Sequence, residues 1–150
     1  MPRVITEKKI SGLSIDTVWL IAKDLESYPK FMDQVKSVEF IDAVEGVITS
    51  SWVVLFNGNE LRWTEVDEFD NIRHRMSFRQ IEGDLAKWEG SFEAIAVDGG
   101  VQCRYDVEFD LGIPALAHVL HPLGERAIAD NCTQILQCIE ERGHGAFERA

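Results

Sequence analysis

The chain has 150 residues, a formal charge of −11 and a sequence pI near 4.7. One domain spanning 1–150 with a full core fits that length, and 45% hydrophobic against 27% charged residues is a globular rather than a disordered balance. The acidity argues against nucleic-acid binding and against anionic membrane surfaces, since both attract basic patches.

In chain order, Arg3 to Ser11 has strand character. Ser14 or Asp16 can cap a short helix over Thr17 to Lys23. A second helical turn follows in Asp24 to Phe31, broken at Pro29. Val35 to Ala43 and Val47 to Asn57 read as strands. Asn57-Gly58 is a strong hairpin signal, because both turn positions tolerate positive φ; Asp70-Asn71 is a weaker one. Leu85 to Val97 and Val101 to Leu111 form another strand pair joined around Asp98-Gly99-Gly100. In the last strand Val101, Cys103, Tyr105, Val107, Phe109 and Leu111 alternate with polar residues. After Pro114 the chain turns helical. Ile128, Cys132, Ile135, Leu136 and Ile139 trace one apolar stripe between Gly124 and Arg142, with Gly143 as the expected stop.

The order is one strand, two short helices, about six strands in a meander and one long C-terminal helix. An antiparallel sheet polar on one face must bury the other. The amphipathic helix is its cover, and the fold class is α+β: a curved sheet gripping one helix. Such a grip leaves room for a cavity.

The opening MPRVITEKKI holds no apolar run of the signal-peptide kind, and no apolar stretch approaches a membrane span. A cytoplasmic location is expected. Cys103, Cys132 and Cys138 are odd in number and lack metal-site spacing, so reduced, mostly buried thiols are expected.

A two-residue turn at Asn57-Gly58 pairs Trp52 with Trp63, Ser50 with Glu65 and Ile48 with Asp67. Side chains two apart share a face, so Glu65 and Asp67 follow Trp63 inward. A two-residue turn at Asp70-Asn71 would pair Asp67 with His74, Glu65 with Met76 and Trp63 with Phe78. The opposite face then collects Glu60, Arg62, Thr64, Glu68, Arg73, Arg75, Ser77 and Arg79. The inward polar set is Ser50, Glu65, Asp67 and His74, joined by Asn131 from the helix and Tyr105 from the last strand. Trp52, Trp63, Phe78, Trp88 and Phe92 supply apolar walls. Asp67 facing His74 would be a pair able to move a proton.

Other readings stand beside this one. A single bulge would flip every later side chain. Glu65 and Asp67 could sit solvated at the sheet rim, His74 could be structural, Asn131 could cap a backbone group, and Tyr105 could simply pack. His118 and His121 sit three apart without a carboxylate at suitable spacing, so no metal site is expected. No phosphate loop, nucleophilic cysteine or hydrolase serine elbow is evident.

The run Asp24-Leu25-Glu26-Ser27-Tyr28-Pro29-Lys30-Phe31, then Trp63 with Asp70, Met76-Ser77-Phe78-Arg79, Gly83-Asp84-Leu85 and Trp88-Glu89-Gly90-Ser91-Phe92 resembles the START-like helix-grip superfamily. Within it, the chain is similar to the polyketide cyclase/dehydrase branch. The resemblance covers nearly the whole chain. It implies about seven strands wrapped around the C-terminal helix, and a deep apolar cavity whose mouth lies near the short helices and Gly112 to Leu123. In cyclase members the cavity folds a poly-β-ketone and promotes aldol closure and dehydration. By position, Tyr28 falls at a pocket aromatic, Arg79 at a pocket arginine and Phe92 at a wall aromatic; Phe31 belongs to the same ligand-binding segment. A second pocket arginine of that branch falls on Asp67. Arg79 is thus inward by resemblance and outward by register, and a bulge between His74 and Gly83 would reconcile the two.

The function so implied is cyclisation or dehydration of a polyketide-like intermediate. Asp67 with His74, or Glu65, would remove an acidic α-proton, and Arg79, Tyr28 or Tyr105 would stabilise the enolate. No metal or redox cofactor is implied. The partner is a hydrophobic small molecule, with an acyl carrier protein as one route of delivery; a homodimer is compatible. A non-catalytic carrier of a quinone or lipid is the alternative, and a module docking a protein over the open end is a third. Convergence of Glu65, Asp67 and His74 on the cavity would favour the enzyme.

Overall fold

The computed structural model describes residues 3–56, 59–110 and 117–149. Strand β1 (Arg3–Ser11) leads into helix α1 (Ile15–Ala22). Ser14 caps that helix, its Oγ accepting from the Thr17 N–H at 3.2 Å. Asp16, the other expected cap, sits in the first turn instead, where its charge suits the helix dipole. A 3-10 turn over Leu25–Ser27 runs straight into α2 (Tyr28–Phe31). Pro29 does not break this segment. It occupies the first turn of α2, where its missing N–H needs no intrahelical partner.

Strands β2 (Val35–Val44), β3 (Val47–Phe56), β4 (Asn59–Asp70), β5 (Arg75–Gly83), β6 (Lys87–Val97) and β7 (Gly100–Asp110) form the meander. With β1 they make one antiparallel sheet in the order β1-β7-β6-β5-β4-β3-β2. The strands adjacent to each short helix are therefore the two sheet edges. Bulges in the β2–β3 pairing fall between Val35 and Ser37 and between Phe40 and Asp42. Another lies at Ile81 of β5, between the pairs Glu65 with Gln80 and Thr64 with Glu82. Each adds bend and twist, and the sheet curves.

Asn57 and Gly58 lie outside the described residues, but the strands flanking them hold the expected register, from Phe56 with Asn59 to Ile48 with Asp67. The turn between β4 and β5 corrects the sequence reading. It is four residues long, pairing Asp70 with Arg75, Phe69 with Met76 and Asp67 with Phe78. The cause is local. Asp70 Oδ1 accepts from the backbone N–H groups of Ile72 and Arg73 at 3.1 and 3.0 Å, and His74 adopts φ of 56°. An Asx-type turn of this kind closes a longer loop than the Asp70-Asn71 dipeptide alone suggests. The change is an even number of residues, so Met76 and Phe78 still point inward while Arg75 and Arg79 still point outward.

The last helix, α3 (Ala117–Arg149), lies across the concave side against β1, β7 and α1. Its apolar stripe is as expected: Ile128, Cys132, Leu136 and Ile139 are buried and Ile135 is half-buried. Gly143 does not end it. The glycine sits inside the helix where a Cβ would overlap Leu13, so it permits close approach rather than termination. Of the loop expected over Gly112–Leu123, residues 112–116 lie outside the described residues and the remainder begins α3. The side chains of His118 and His121 are also outside them. All three cysteines are free thiols, with Cys103 and Cys132 buried. Among the described residues, no helix is long and apolar enough to cross a membrane.

Candidate functional site

The site begins with strand parity. Trp52 and Trp63 face each other across β3 and β4, and their rings lie parallel at 5.9 Å and 2°. From β6, Trp88 meets Trp63 at 5.3 Å and Phe78 at 5.9 Å. Tyr28 of α2 stands edge-on to Trp52 at 6.1 Å. These rings wall a cavity between the sheet and α3. Leu25, Val54, Leu61, Met76, Leu85 and Val107 complete the apolar lining, with Ile128, Cys132 and Ile135 from the helix. An occupant would touch both indoles and α3.

Four polar groups interrupt that lining, and the parity that buries the indoles places two of them. Glu65 is two residues from Trp63 and accepts from its Nε1 at 2.7 Å. On the facing strand, Trp52 Nε1 donates to Ser50 Oγ at 2.8 Å, and Ser50 donates on to Asp67 Oδ2 at 2.5 Å. Glu65 is 4% exposed and Asp67 0%. Burial pushes the Glu65 carboxyl well above its ordinary range. A hydrogen bond to Asp67 and the Asp67 charge push it further, while the Trp63 and Trp88 N–H groups pull it back. Asp67 is also raised by burial, against the opposing hydrogen bonds from Glu65 and Ser50. Two adjacent buried carboxyls cannot both ionise cheaply. Burial therefore favours the protonated form at this pair, most strongly at Glu65. Asp67 Oδ1 is buried without a hydrogen-bond partner.

The other two polar groups are without partners. Trp88 Nε1 lies close enough to Glu65 to lower its pKa, but it is buried without a hydrogen bond of its own. Asn131 Oδ1 of α3 is likewise buried and unpaired.

The expected residues divide clearly. Tyr28, Trp52, Trp63, Glu65, Asp67, Phe78, Trp88, Tyr105 and Asn131 line the cavity together. Tyr28 and Tyr105 are both buried and raised by that burial. The Tyr28 hydroxyl donates to the Ala22 carbonyl at 2.5 Å, which ties α2 to the end of α1 and leaves no proton for a ligand.

Four expected residues lie elsewhere. His74 is carried away from Asp67 by the four-residue turn. It sits edge-on to Trp19 at 5.8 Å, with Nε2 3.5 Å from Asp16. Arg79 is exposed on the convex face beside Val66 and Glu89. The Ile81 bulge comes after it and cannot turn it inward. Phe92 is fully buried, but it stacks on Trp19 at 6.3 Å and packs against Tyr105 at 5.0 Å, in the core beyond the cavity. Phe31 is 52% exposed under the Arg142 guanidinium at 4.1 Å.

Sequence reasoning passed over Leu25, Leu61, Met76 and Leu85 as wall residues. Leu61 and Met76 had a usable signal, since they share the parity of Trp63 and Phe78; Leu25 lies outside the strands, and Leu85, read as the start of a strand, precedes β6. Cys132 lines the cavity as an apolar group, its thiol pushed up to about 12 by burial. Among the described residues no three His, Cys, Asp or Glu side chains gather as a metal site would need.

A family model described as polyketide cyclase/dehydrase and lipid transport matches residues 11–135. Comparison with curated proteins finds no match. Among solved structures, TTHA0849 from Thermus thermophilus superposes with a TM-score of 0.89 at 28% identity, over 97% of this chain and 99% of that one. The Zhui aromatase/cyclase from Streptomyces sp. R1128 gives 0.82 at 16% identity, over 95% and 93%. A START superfamily protein from Mycobacterium smegmatis gives 0.76 at 16%, over 97% and 99%. The last two share the fold alone. The chain therefore belongs to the polyketide cyclase/dehydrase and lipid transport family.

Proposed function

We propose that the cavity binds a hydrophobic, oxygenated small molecule and promotes aldol-type cyclisation and dehydration of a polyketide-like intermediate. The observation that carries this reading is the Glu65–Asp67 pair, two buried carboxyls lining an aromatic cavity. In this reading Asp67 is the base and Glu65, the more strongly raised of the two, the acid.

In the dehydration step Asp67 takes the proton α to a ketone. The electron pair forms the new C=C bond as the β C–OH bond breaks. Glu65 gives its proton to the departing hydroxyl, which leaves as water. Asp67 then holds the proton and Glu65 the charge, and transfer between them restores the starting state. No external oxidant or reductant enters the balance. Ser50 holds Asp67 in place through its 2.5 Å hydrogen bond. His74 and Arg79 have no part in this mechanism.

Carriage of a quinone or lipid without catalysis is the second reading. It is favoured by the predominance of apolar side chains in the lining. Turnover of an aryl β-hydroxy ketone separates the two. Asp67→Asn and Glu65→Gln are each expected to lower kcat by about 10² to 10⁴, with His74→Ala unchanged. Wild-type binding without turnover would leave the carrier, and full activity in both carboxyl variants would remove the pair from the mechanism.

A further inference from the structure

Besides Asp67 Oδ1, the cavity contains two polar atoms that the protein itself does not satisfy, Trp88 Nε1 and Asn131 Oδ1. They come from opposite walls, one from β6 and the other from α3. Both are buried, and a buried polar atom without a partner is costly. One is a donor and the other an acceptor. The same lining includes the indoles of Trp52 and Trp63, parallel within 2°. The lining also holds two carboxyls and, among the described residues, no Lys, Arg or His. The arginines adjoining lining residues, Arg62, Arg75, Arg79 and Arg104, are all exposed, and Arg142 lies over Phe31 and pairs with Asp24 at 3.4 Å.

We infer that the ligand is an uncharged, flat hydroxy ketone, whose carbonyl oxygen accepts from Trp88 Nε1 and whose hydroxyl donates to Asn131 Oδ1, and that the carboxyl pair excludes anions. The inference rests on the function proposed above and narrows its substrate class. A carboxylate brought into this cavity would meet Glu65 and Asp67 with no cation to offset it. A neutral carbonyl beside Trp88 meets the indole N–H and the Glu65 proton together, which is where an enolate oxygen would develop charge. Free fatty acids and phosphorylated compounds are thereby rejected.

The test is calorimetric titration of the wild-type protein with three matched probes: an acetylnaphthol, the acetylnaphthalene lacking its hydroxyl, and the hydroxynaphthoate. The acetylnaphthol is expected to bind best, with loss of the hydroxyl weakening binding by about tenfold. The hydroxynaphthoate is expected to be weaker than the acetylnaphthol by about 100-fold or more. Asn131→Leu should erase the preference for the hydroxyl, and Trp88→Phe should weaken both ketones equally. Asp67→Asn should narrow the gap to the naphthoate. Equal affinity of wild type for the acetylnaphthol and the hydroxynaphthoate would overturn the charge rule. A hydroxyl preference that survives Asn131→Leu would overturn its anchor. Binding of none of the three probes would instead overturn the cavity reading beneath it.

Discussion

Glu65 and Asp67 give the molecule a pH dependence of unusual sign. Most folded carboxylates are held below their unfolded range, as Asp70 is by backbone N–H groups and Asp106 by Arg3. Such groups stabilise the fold as pH rises. Glu65 is the reverse. Below its ordinary range near 4.5 it is protonated in both states and makes no difference. Above that range the unfolded chain loses the proton while the fold keeps it, so the folded state binds more protons and stability falls with rising pH. The Glu65→Gln variant removes that slope. The difference in Tm between variant and wild type should be flat below pH about 4 and grow in the variant's favour from there upward. A difference that stays constant to pH 8 would show that Glu65 is ionised in the fold.

Among the elements, α3 illustrates how one residue type can serve opposite ends. Glycine after an apolar stripe ordinarily signals a helix stop. Here Gly143 continues the helix and lets it close on Leu13, the residue leading into α1. Gly143→Ala should gain helix propensity of about 1 kcal/mol and lose more to the overlap with Leu13, for a net destabilisation of about 1–2 kcal/mol. Urea unfolding measures it. Leu13→Ala in the same chain should turn the glycine substitution from harmful to neutral or stabilising, and its failure to do so would place the clash elsewhere. The β4–β5 turn carries a parallel lesson. The dipeptide Asp70-Asn71 marked a turn correctly, but its length was set by the Asp70 side chain reaching two backbone N–H groups and by His74 accepting a positive φ. Neither is readable from hydrophobic alternation. The consequence fell on one residue: His74 left the cavity, while the parity of Met76 and Phe78 survived.

At the scale of the whole molecule, a charge of −11 on 150 residues acts against compaction through self-repulsion. Screening relieves it, so Tm should rise by a few degrees, about 2–5 °C, between 10 mM and 300 mM sodium chloride at pH 8. A fall over that range would mean that ion pairs such as Arg3 with Asp106 and Lys87 with Glu108 outweigh the net repulsion. The curvature of the sheet matters at this scale too. Bulges in β2–β3 and in β5 bend the strands around α3, and the short helices span the gap between the two edge strands. The cavity is what that bend leaves beneath the helix.

The sequence by itself determined the inward face of β3, β4 and β7. Alternation has a period of two, and the Asn57-Gly58 signal pins the register of its neighbours, so Trp52, Trp63, Glu65 and Asp67 were bound to share one side. It also determined the stripe of α3 and the order of elements. Only the tertiary structure decided which inward residues line the cavity and which simply pack. Phe92 and Phe78 both point inward, but α1 brings Trp19 down onto Phe92 and leaves Phe78 open to the cavity. Tertiary structure also decided the state of the carboxyl pair. Desolvation belongs to no residue or strand; it arises when Trp63, Trp88 and α3 close over Glu65, and that burial is what raises its pKa.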